Sequence, residues 1–473
     1  VDQFGALSLL PPLSAILLAL LFRHVYLALG FGIFLGSTLY SDLNPLRGLA
    51  QSLQYLVEVF QSESNTKVIL FSALVGALLA FLQKAGGIQA LIDWLQKKGT
   101  ARSERQTSLA AYLLGCSIFI ESNITSLVVG SVFRPLFDRM KISREKLAYL
   151  CDSTSAPICI LIPLNGWGAL IMGLLGAQQM ERPFQTLLFS LPFAFYPIAA
   201  LFILLFVIST GFHIGPLAIA ESRVKKTGLL HREGAEPLIS DEITEMKPKE
   251  EIALRKRNFL MPLIIMICSV PIGLWITGEG EFMKGSGSTS VLWAVSLAVL
   301  FLIVSGLYQR HFGFHEVTDL FFQGVGGLMP LVTLLILAFA LGNVCADLGV
   351  GPYVAGFAQT WILPAFIPGL VFILASLIAF STGTSWGTFS IMFPIGVPLA
   401  LGIGMPVELI AGAILSGGIF GDHCSPISDT TMIASMASAS DHIDHVRTQL
   451  PYALMGGGLA FLLYISFGFI YIT

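Results

Sequence analysis

Apolar residues run along this chain in blocks long enough to cross a bilayer, and the polar positions interrupt those blocks in a repeating order. Windows of about 20 apolar residues predict membrane-spanning helices. They fall near 6–22, 25–40, 67–83, 146–178 and 184–211, then near 259–276, 289–307, 325–346, 406–440 and 449–472. Two further apolar segments carry a polar centre, Glu121-Ser122-Asn123 within 107–133 and Ser381-Thr382-Gly383-Thr384-Ser385 within 364–401. A polar turn midway along an apolar segment predicts a hairpin of two half-helices. Two crossings are themselves interrupted, by Asp152-Ser153-Thr154-Ser155-Ala156-Pro157 and by Asp422-His423-Cys424-Ser425-Pro426. Proline lacks an N–H and clashes with the carbonyl four residues back, so helices should open at Pro157 and Pro426.

Charge sets the topology. Basic residues cluster at Arg23, at Lys97 to Arg105, at Arg134 to Lys146, along 223–257, at Arg310 and at Arg447, and basic loops belong on the cytoplasmic side. Both flanks of 107–133 are basic, which predicts a re-entrant hairpin from the cytoplasm; the flanks of 364–401 carry no basic residue. Each half then holds five crossings and one hairpin. An odd number of crossings turns the second half upside down. The expected fold is an all-α polytopic membrane protein of two inverted repeats, 1–215 and 258–473, with broken helices at the midplane. A polar cytoplasmic linker, 216–257, joins them, and both termini lie outside.

Composition agrees: 55% hydrophobic residues, 12% charged and a mean hydropathy of +0.80, where soluble domains carry about 25% charged residues. The net charge is −3 and no basic stripe interleaves with aromatics, which argues against a nucleic-acid partner. The six cysteines lie in apolar segments without a CxxC pair and read as small packing residues.

Carboxylates inside a bilayer are costly and usually functional. Asp422 and Asp429 stand seven residues apart, a spacing that returns to one helical face. With Asp152 they are candidate ligands for a cation such as sodium, or carriers of protons. The bland alternative is an acid satisfied by backbone N–H groups. Glu121 at a hairpin tip can carry protons, because burial disfavours its charged form, or it can cap a half-helix. His423 titrates near neutrality or orients Asp422. Neutral oxygens are available from Asn123, Ser153, Ser155, Thr382, Thr384, Ser385, Ser425, Ser428 and Thr430. Small hydroxyl residues at a tip also let helices approach closely. Asn165 and Trp167 stand just past Pro163; Trp167 suits packing or gating. The run Asp441-His442-Ile443-Asp444-His445-Val446-Arg447 suits a helix cap or interdomain contact at the membrane edge better than a metal site.

The strings FSTGTSWGTFSIMFP (380–394), GDHCSPISDTTMIAS (421–435), DHIDHVRTQLPYAL (441–454) and RPLFDRMKISREKLAYLCDSTSAP (134–157) resemble the NhaC-type sodium/proton antiporters, and the resemblance covers nearly the whole chain. It implies exchange of sodium or lithium for protons across the bacterial inner membrane, elevator-like alternating access, a homodimer, and no cofactor beyond the transported ions. Relatives exchange carboxylates such as malate and lactate. One departure is local: members often carry Phe-Asp-Asp-Tyr-Ala-Asn at the first tip, where this chain has Phe119-Ile120-Glu121-Ser122-Asn123-Ile124. The lost acid keeps a second reading open, a coupled exchanger of a small carboxylate or amino acid. An intramembrane hydrolase fits poorly, because HExxH is absent, Ser425 precedes Pro426, and catalysis leaves an inverted repeat unexplained. A channel would not need titratable acids in both halves.

Overall fold

The computed structural model describes residues 4–22, 24–87, 103–119, 121–237, 255–281, 285–350 and 363–471, with the single positions 90, 353 and 356. Among them the secondary structure is helical, without a β-strand. The first half runs α1 (Leu10–Phe22), α2 (Val25–Tyr40), α3 (Pro45–Glu58) and α4 (Glu63–Lys84). A hairpin follows, α5 (Glu104–Ser117) and α6 (Ser122–Arg139), then the interrupted chain α7 (Arg144–Ser153), α8 (Ala156–Leu161) and α9 (Gly166–Ala177). It closes with α10 (Pro183–Ser190), α11 (Phe195–Thr210) and α12 (Gly215–Thr227). The second half runs α13 (Arg257–Thr277), α14 (Gly287–Tyr308), α15 (Phe314–Gly327) and α16 (Met329–Asp347). It repeats the order of hairpin before broken helix: α17 (Ile367–Thr382) with α18 (Ser385–Ile403), then α19 (Val407–Cys424), α20 (Asp429–Ser438) and α21 (His442–Ile470).

By length and apolarity, 8 helices among the described residues can cross a membrane, or up to 10 if each bent pair counts as one span. The pairs bend by 43° at 161–166 and by 44° at 327–332. The outer surface agrees with a lipid setting: Leu297, Leu300 and Val304 of α14 are 48%, 56% and 57% exposed on an otherwise apolar helix. This is an integral membrane protein.

Three places depart from the hydropathy reading. The crossing expected at 325–346 begins at the bend itself, and α15 extends it backwards as a separate amphipathic helix. The segment 184–211 divides at a 3-10 turn, 191–193, between α10 and α11. The loop expected after Asp42 holds α3, started by Pro45 at its first turn and by Asn44, whose Oδ1 accepts the N–H groups of Leu46 and Arg47 at 3.1 and 3.2 Å. Periodicity could have found α3; a hydropathy average cannot, because only one face is apolar. Part of 216–257 is likewise helical, as α12, and 238–254 lie outside the described residues.

Close helix packing positions the site. Apolar burial gives little drive between helices in lipid, so association depends on tight contact through small residues. Gly417 and Gly421 of α19 face α17: a Cβ on either would strike backbone there, at Phe372 and Ser376 respectively. Gly130 of α6 meets Ala437 of α20 in the same way, and Gly115 of α5 abuts Thr154 at the first break. Each hairpin is thereby locked against a broken helix. Gly421→Leu should overpack this seam at a cost of about 1–3 kcal/mol, lowering the thermal midpoint in detergent by several degrees. A melt unchanged from wild type would mean that the seam is loose.

Candidate ion site at the broken helices

The second break opens where Pro426 predicts. The Ser425 N–H turns back to the Asp422 carbonyl at 3.0 Å, ending α19. Ser428 starts α20, its Oγ accepting the Thr431 N–H at 3.3 Å. Asp422 has no exposed surface. Its Oδ2 accepts from Thr430 Oγ1 at 3.1 Å and lies 3.5 Å from Ser385 Oγ at the second hairpin tip, while Oδ1 has no hydrogen-bond partner. Gly383 makes that tip approach possible: it has φ +67°, and a Cβ there would strike the Ile427 carbonyl. Ser425 Oγ donates to the Phe380 carbonyl at 2.7 Å, so this hydroxyl fastens the hairpin to the break.

The first break is knitted into the second half. Asp152, also without exposed surface, accepts at Oδ2 from Gln449 Nε2 at 2.6 Å and Thr431 Oγ1 at 3.0 Å. Its Oδ1 has no hydrogen-bond partner and faces His423 Nε2 at 3.9 Å. His423 Nδ1 pairs with Tyr196 Oη at 3.0 Å, so this imidazole is aligned with Asp152 of the other half as well as neighbouring Asp422 in sequence. Gln449 Nε2 also donates to the His423 carbonyl at 2.9 Å. His445 stands between Ser435 Oγ, 2.8 Å, and Gln449 Oε1, 3.1 Å. Ser155 Oγ donates to the Asp152 carbonyl at 2.8 Å, and Ser153 is buried in the last turn of α7, with Pro157 opening α8. These two serines serve the break and do not line the cavity described next.

That cavity, about 230 Å³, is lined by Glu121, Asn123, Thr384, Asp429 and Thr430, and by Tyr26, Trp167 and Trp386 among others. Glu121 makes the capping bond weighed from sequence, its Oε2 accepting the Ile124 N–H at 2.8 Å at the start of α6, and also stands at the cavity wall. Asn123 Oδ1 is buried without a partner. Thr384 starts α18 but makes no side-chain cap bond, and Thr382 Oγ1 turns back to the Ile378 carbonyl at 2.8 Å. Asp429 is exposed at the start of α20, its Oδ1 accepting the Thr430 N–H at 3.0 Å. Asp422 and Asp429 are therefore separated, one sealed and one at the cavity wall, because the unwound residues 425–428 interrupt the helical spacing.

Asn165 holds the first break open. Its Nδ2 donates to the carbonyls of Phe119 (2.7 Å), Cys159 (2.9 Å) and Ile162 (2.9 Å), and its Oδ1 accepts the N–H groups of Trp167 and Gly168 at 2.9 and 3.1 Å. One side chain thus caps α9 and ties the first hairpin tip to the break. Trp167 packs on Trp386 with ring centroids 5.0 Å apart. The run from Asp441 divides in function. Asp441 caps α21, and Asp444 pairs with Arg232 at 2.7 Å, as a cap and interdomain contact should. Burial opposes ionisation of Asp441, but the Glu236 and Asp444 N–H groups and Arg232 hold its carboxyl below the usual range. His445 instead belongs to the buried network.

Sequence reading missed Gln449, Thr431, Tyr196, His445 and Trp386. A signal existed for two of them, since His445 and Gln449 are four apart and so share one face of α21.

Buried acids at two helix breaks of a helical membrane protein are the kind of site that secondary transporters use. Residues 178–469, more than half of the chain, match the Na+/H+ antiporter family, and the chain belongs to that family, whose members are transporters and not enzymes. An uncharacterized protein of Haemophilus influenzae is 31% identical over 98% of this chain and 91% of its own. The malate-2H(+)/Na(+)-lactate antiporter of Bacillus subtilis is 31% identical over 34% of each chain. The Na(+)/H(+) antiporter NhaC of the same organism is 28% identical over 26% of each, in keeping with the NhaC-type strings. Among solved structures, the YdaH transporter of Alcanivorax borkumensis shares the fold, with a TM-score of 0.55 over 89% of each chain at 13% identity.

Gln449→Leu removes a donor from both Asp152 and the His423 carbonyl. A hydrogen bond to a charged group is worth about 1.5–3 kcal/mol, so the variant should melt several degrees lower, and Gln449→Asn should recover only part of the loss. Melting like wild type would show that Asp152 does not depend on this bond.

Proposed function

We propose that this protein exchanges sodium or lithium for protons across the bacterial inner membrane by alternating access. One observation carries the reading: Glu121 from the first half and Asp429 from the second line a single cavity, with the sealed carboxylate of Asp422 directly behind Thr430. Among its described lining residues none is basic. Hard oxygen donors suit sodium, and Glu121, Asp429, Asn123 Oδ1, Thr384 and Thr430 can supply them. A cation held at Asp429 and Thr430 pulls on the hydrogen bond from Thr430 to Asp422. Cation loading and proton loading thereby compete, which is the requirement for exchange. Asp422 and Asp152 each keep one carboxylate oxygen without a hydrogen-bond partner. An unpaired buried carboxylate is costly, and acids inside a membrane are functional by default.

The recurrence of hairpin and broken helix in each half supports inverted repeats over 1–215 and 258–473, with an elevator-like motion of hairpins and broken helices against the remaining helices. On this reading 216–257 is cytoplasmic, both termini lie outside, and the chain assembles as a homodimer with no cofactor.

Cavity size favours a second reading, a coupled exchanger of a small carboxylate or amino acid. Water occupies about 30 Å³ per molecule in the liquid, so the cavity is several times larger than a cation needs. Trp167 and Trp386 offer apolar walls, and the start of α18, without a side-chain cap, offers N–H groups to a carboxylate. The relative that exchanges malate for lactate keeps this reading in play.

Asp422→Asn should fold and reach the membrane at normal yield yet lose sodium-driven proton movement in everted vesicles by at least tenfold. Wild-type rates in that variant would remove Asp422 from the mechanism. Glu121→Gln should flatten the pH dependence of exchange; a lower melting temperature with an unchanged pH profile would leave Glu121 only its capping role.

A further inference from the structure

The charged end of the molecule carries a cluster that the transport site does not use. Glu104 opens α5, His213 lies in the turn between α11 and α12, and Glu221 lies within α12. Their ligand atoms all fall within 4.8 Å of one another. Glu104 is held through both carboxylate oxygens and Glu221 through one, which leaves Glu221 Oε2 for the cluster. Glu221 Oε1 accepts the Ser143 N–H at 2.9 Å and Ser143 Oγ at 2.7 Å. Glu221 Oε2, on a residue only 3% exposed, has no hydrogen-bond partner. Glu104 Oε1 accepts from Lys146 Nζ at 3.0 Å, and its Oε2 pairs with Lys225 Nζ at 2.9 Å. His213 Nε2 is buried without a partner. Lys225 stands 3.7 Å from Glu221 Oε2, beyond hydrogen-bond reach, and its side chain is 49% exposed.

We propose that Glu104, His213 and Glu221 form a site for a divalent transition metal of the zinc class, with Lys225 as the cation that the metal displaces. The donor set, one imidazole and two carboxylates, matches the chemistry of that class. Ser143 and Lys146 orient the two carboxylates as outer-shell partners orient metal ligands elsewhere. Two lysines balance two glutamates while Lys225 is in place. When its half-exposed side chain swings into solvent, the cluster gains a net negative charge to receive the ion. Bonds of about 2.0–2.2 Å in a tetrahedron put ligand atoms about 3.4 Å apart, so side-chain rotations of little more than 1 Å close the site. A metal here ties α5, the arm of the hairpin that leads to Glu121, to α12. On the transport reading above, that clamp slows exchange; binding itself does not depend on that reading.

Zinc titration of tag-free protein in detergent, competed against a chromogenic chelator, tests the assignment. Wild type should show one saturable site and a raised thermal midpoint with zinc, and magnesium at the same concentration should not compete. His213→Ala and Glu221→Gln should each weaken zinc at least tenfold, whereas Lys225→Met, which removes the competitor, should tighten it about tenfold. If His213→Ala does not fold, Lys225→Met decides alone. No saturable site in wild type, or unchanged affinity in Lys225→Met, overturns the proposal.

Discussion

A carboxylate sealed from water must be held by something, and Asp152 is held by the other half of the chain. It sits at the first helix break, and both hydrogen bonds to its Oδ2 come from the second half, from Thr431 at 3.0 Å and Gln449 at 2.6 Å. Removing one partner of a buried charge costs far more than an exposed pair gains. The two breaks therefore stay in register with each other. Through Gln449 the same bond network fixes the His423 carbonyl, and through Thr431 it reaches the start of α20, next to Thr430 and Asp422. A change in charge at any one of these groups is felt by the others.

The surrounding packing makes that register possible. Glycines at 130, 417 and 421 let backbones come close where lipid supplies no hydrophobic drive. Asn165 satisfies three carbonyls around the first break, Ser155 and Ser425 one each around the first and second. Ser155, Thr382 and Ser425, which looked like ligands, thus bond backbone carbonyls at a break or near a hairpin tip. The groups facing the cavity are fewer: Glu121, Ser122, Asn123, Thr384, Asp429 and Thr430 supply its polar side chains beside Ser72 and three aromatics.

Much of this was legible in the sequence because bilayers impose simple rules. Length and apolarity give the spans, Pro426 and Pro157 give the breaks, and polar tips give the hairpins. What stayed hidden had distinct causes. The seven-residue spacing of Asp422 and Asp429 implied one face, and the unwound turn between them undid it. Helix α3 is apolar on one side only, so a hydropathy average passes over it. Tyr196 reads as an ordinary helix residue until tertiary packing brings it to His423, and the four-residue spacing of His445 and Gln449 does not show that Asp152 is their neighbour. Family membership, with residues 178–469 matching the Na+/H+ antiporters, shows a transporter. The cavity volume of about 230 Å³ and the single acid at the first tip bear on its cargo.

Proton movement in liposomes carrying the purified wild-type protein tests the central claim most directly, with sodium, lithium, potassium and a panel of small carboxylates and amino acids each offered in turn. Competition between cation and proton across Asp429, Thr430 and Asp422 predicts a prompt pH change with sodium or lithium and none with the organic panel. Silence with every alkali cation, alongside proton-coupled exchange of an organic acid, would contradict it.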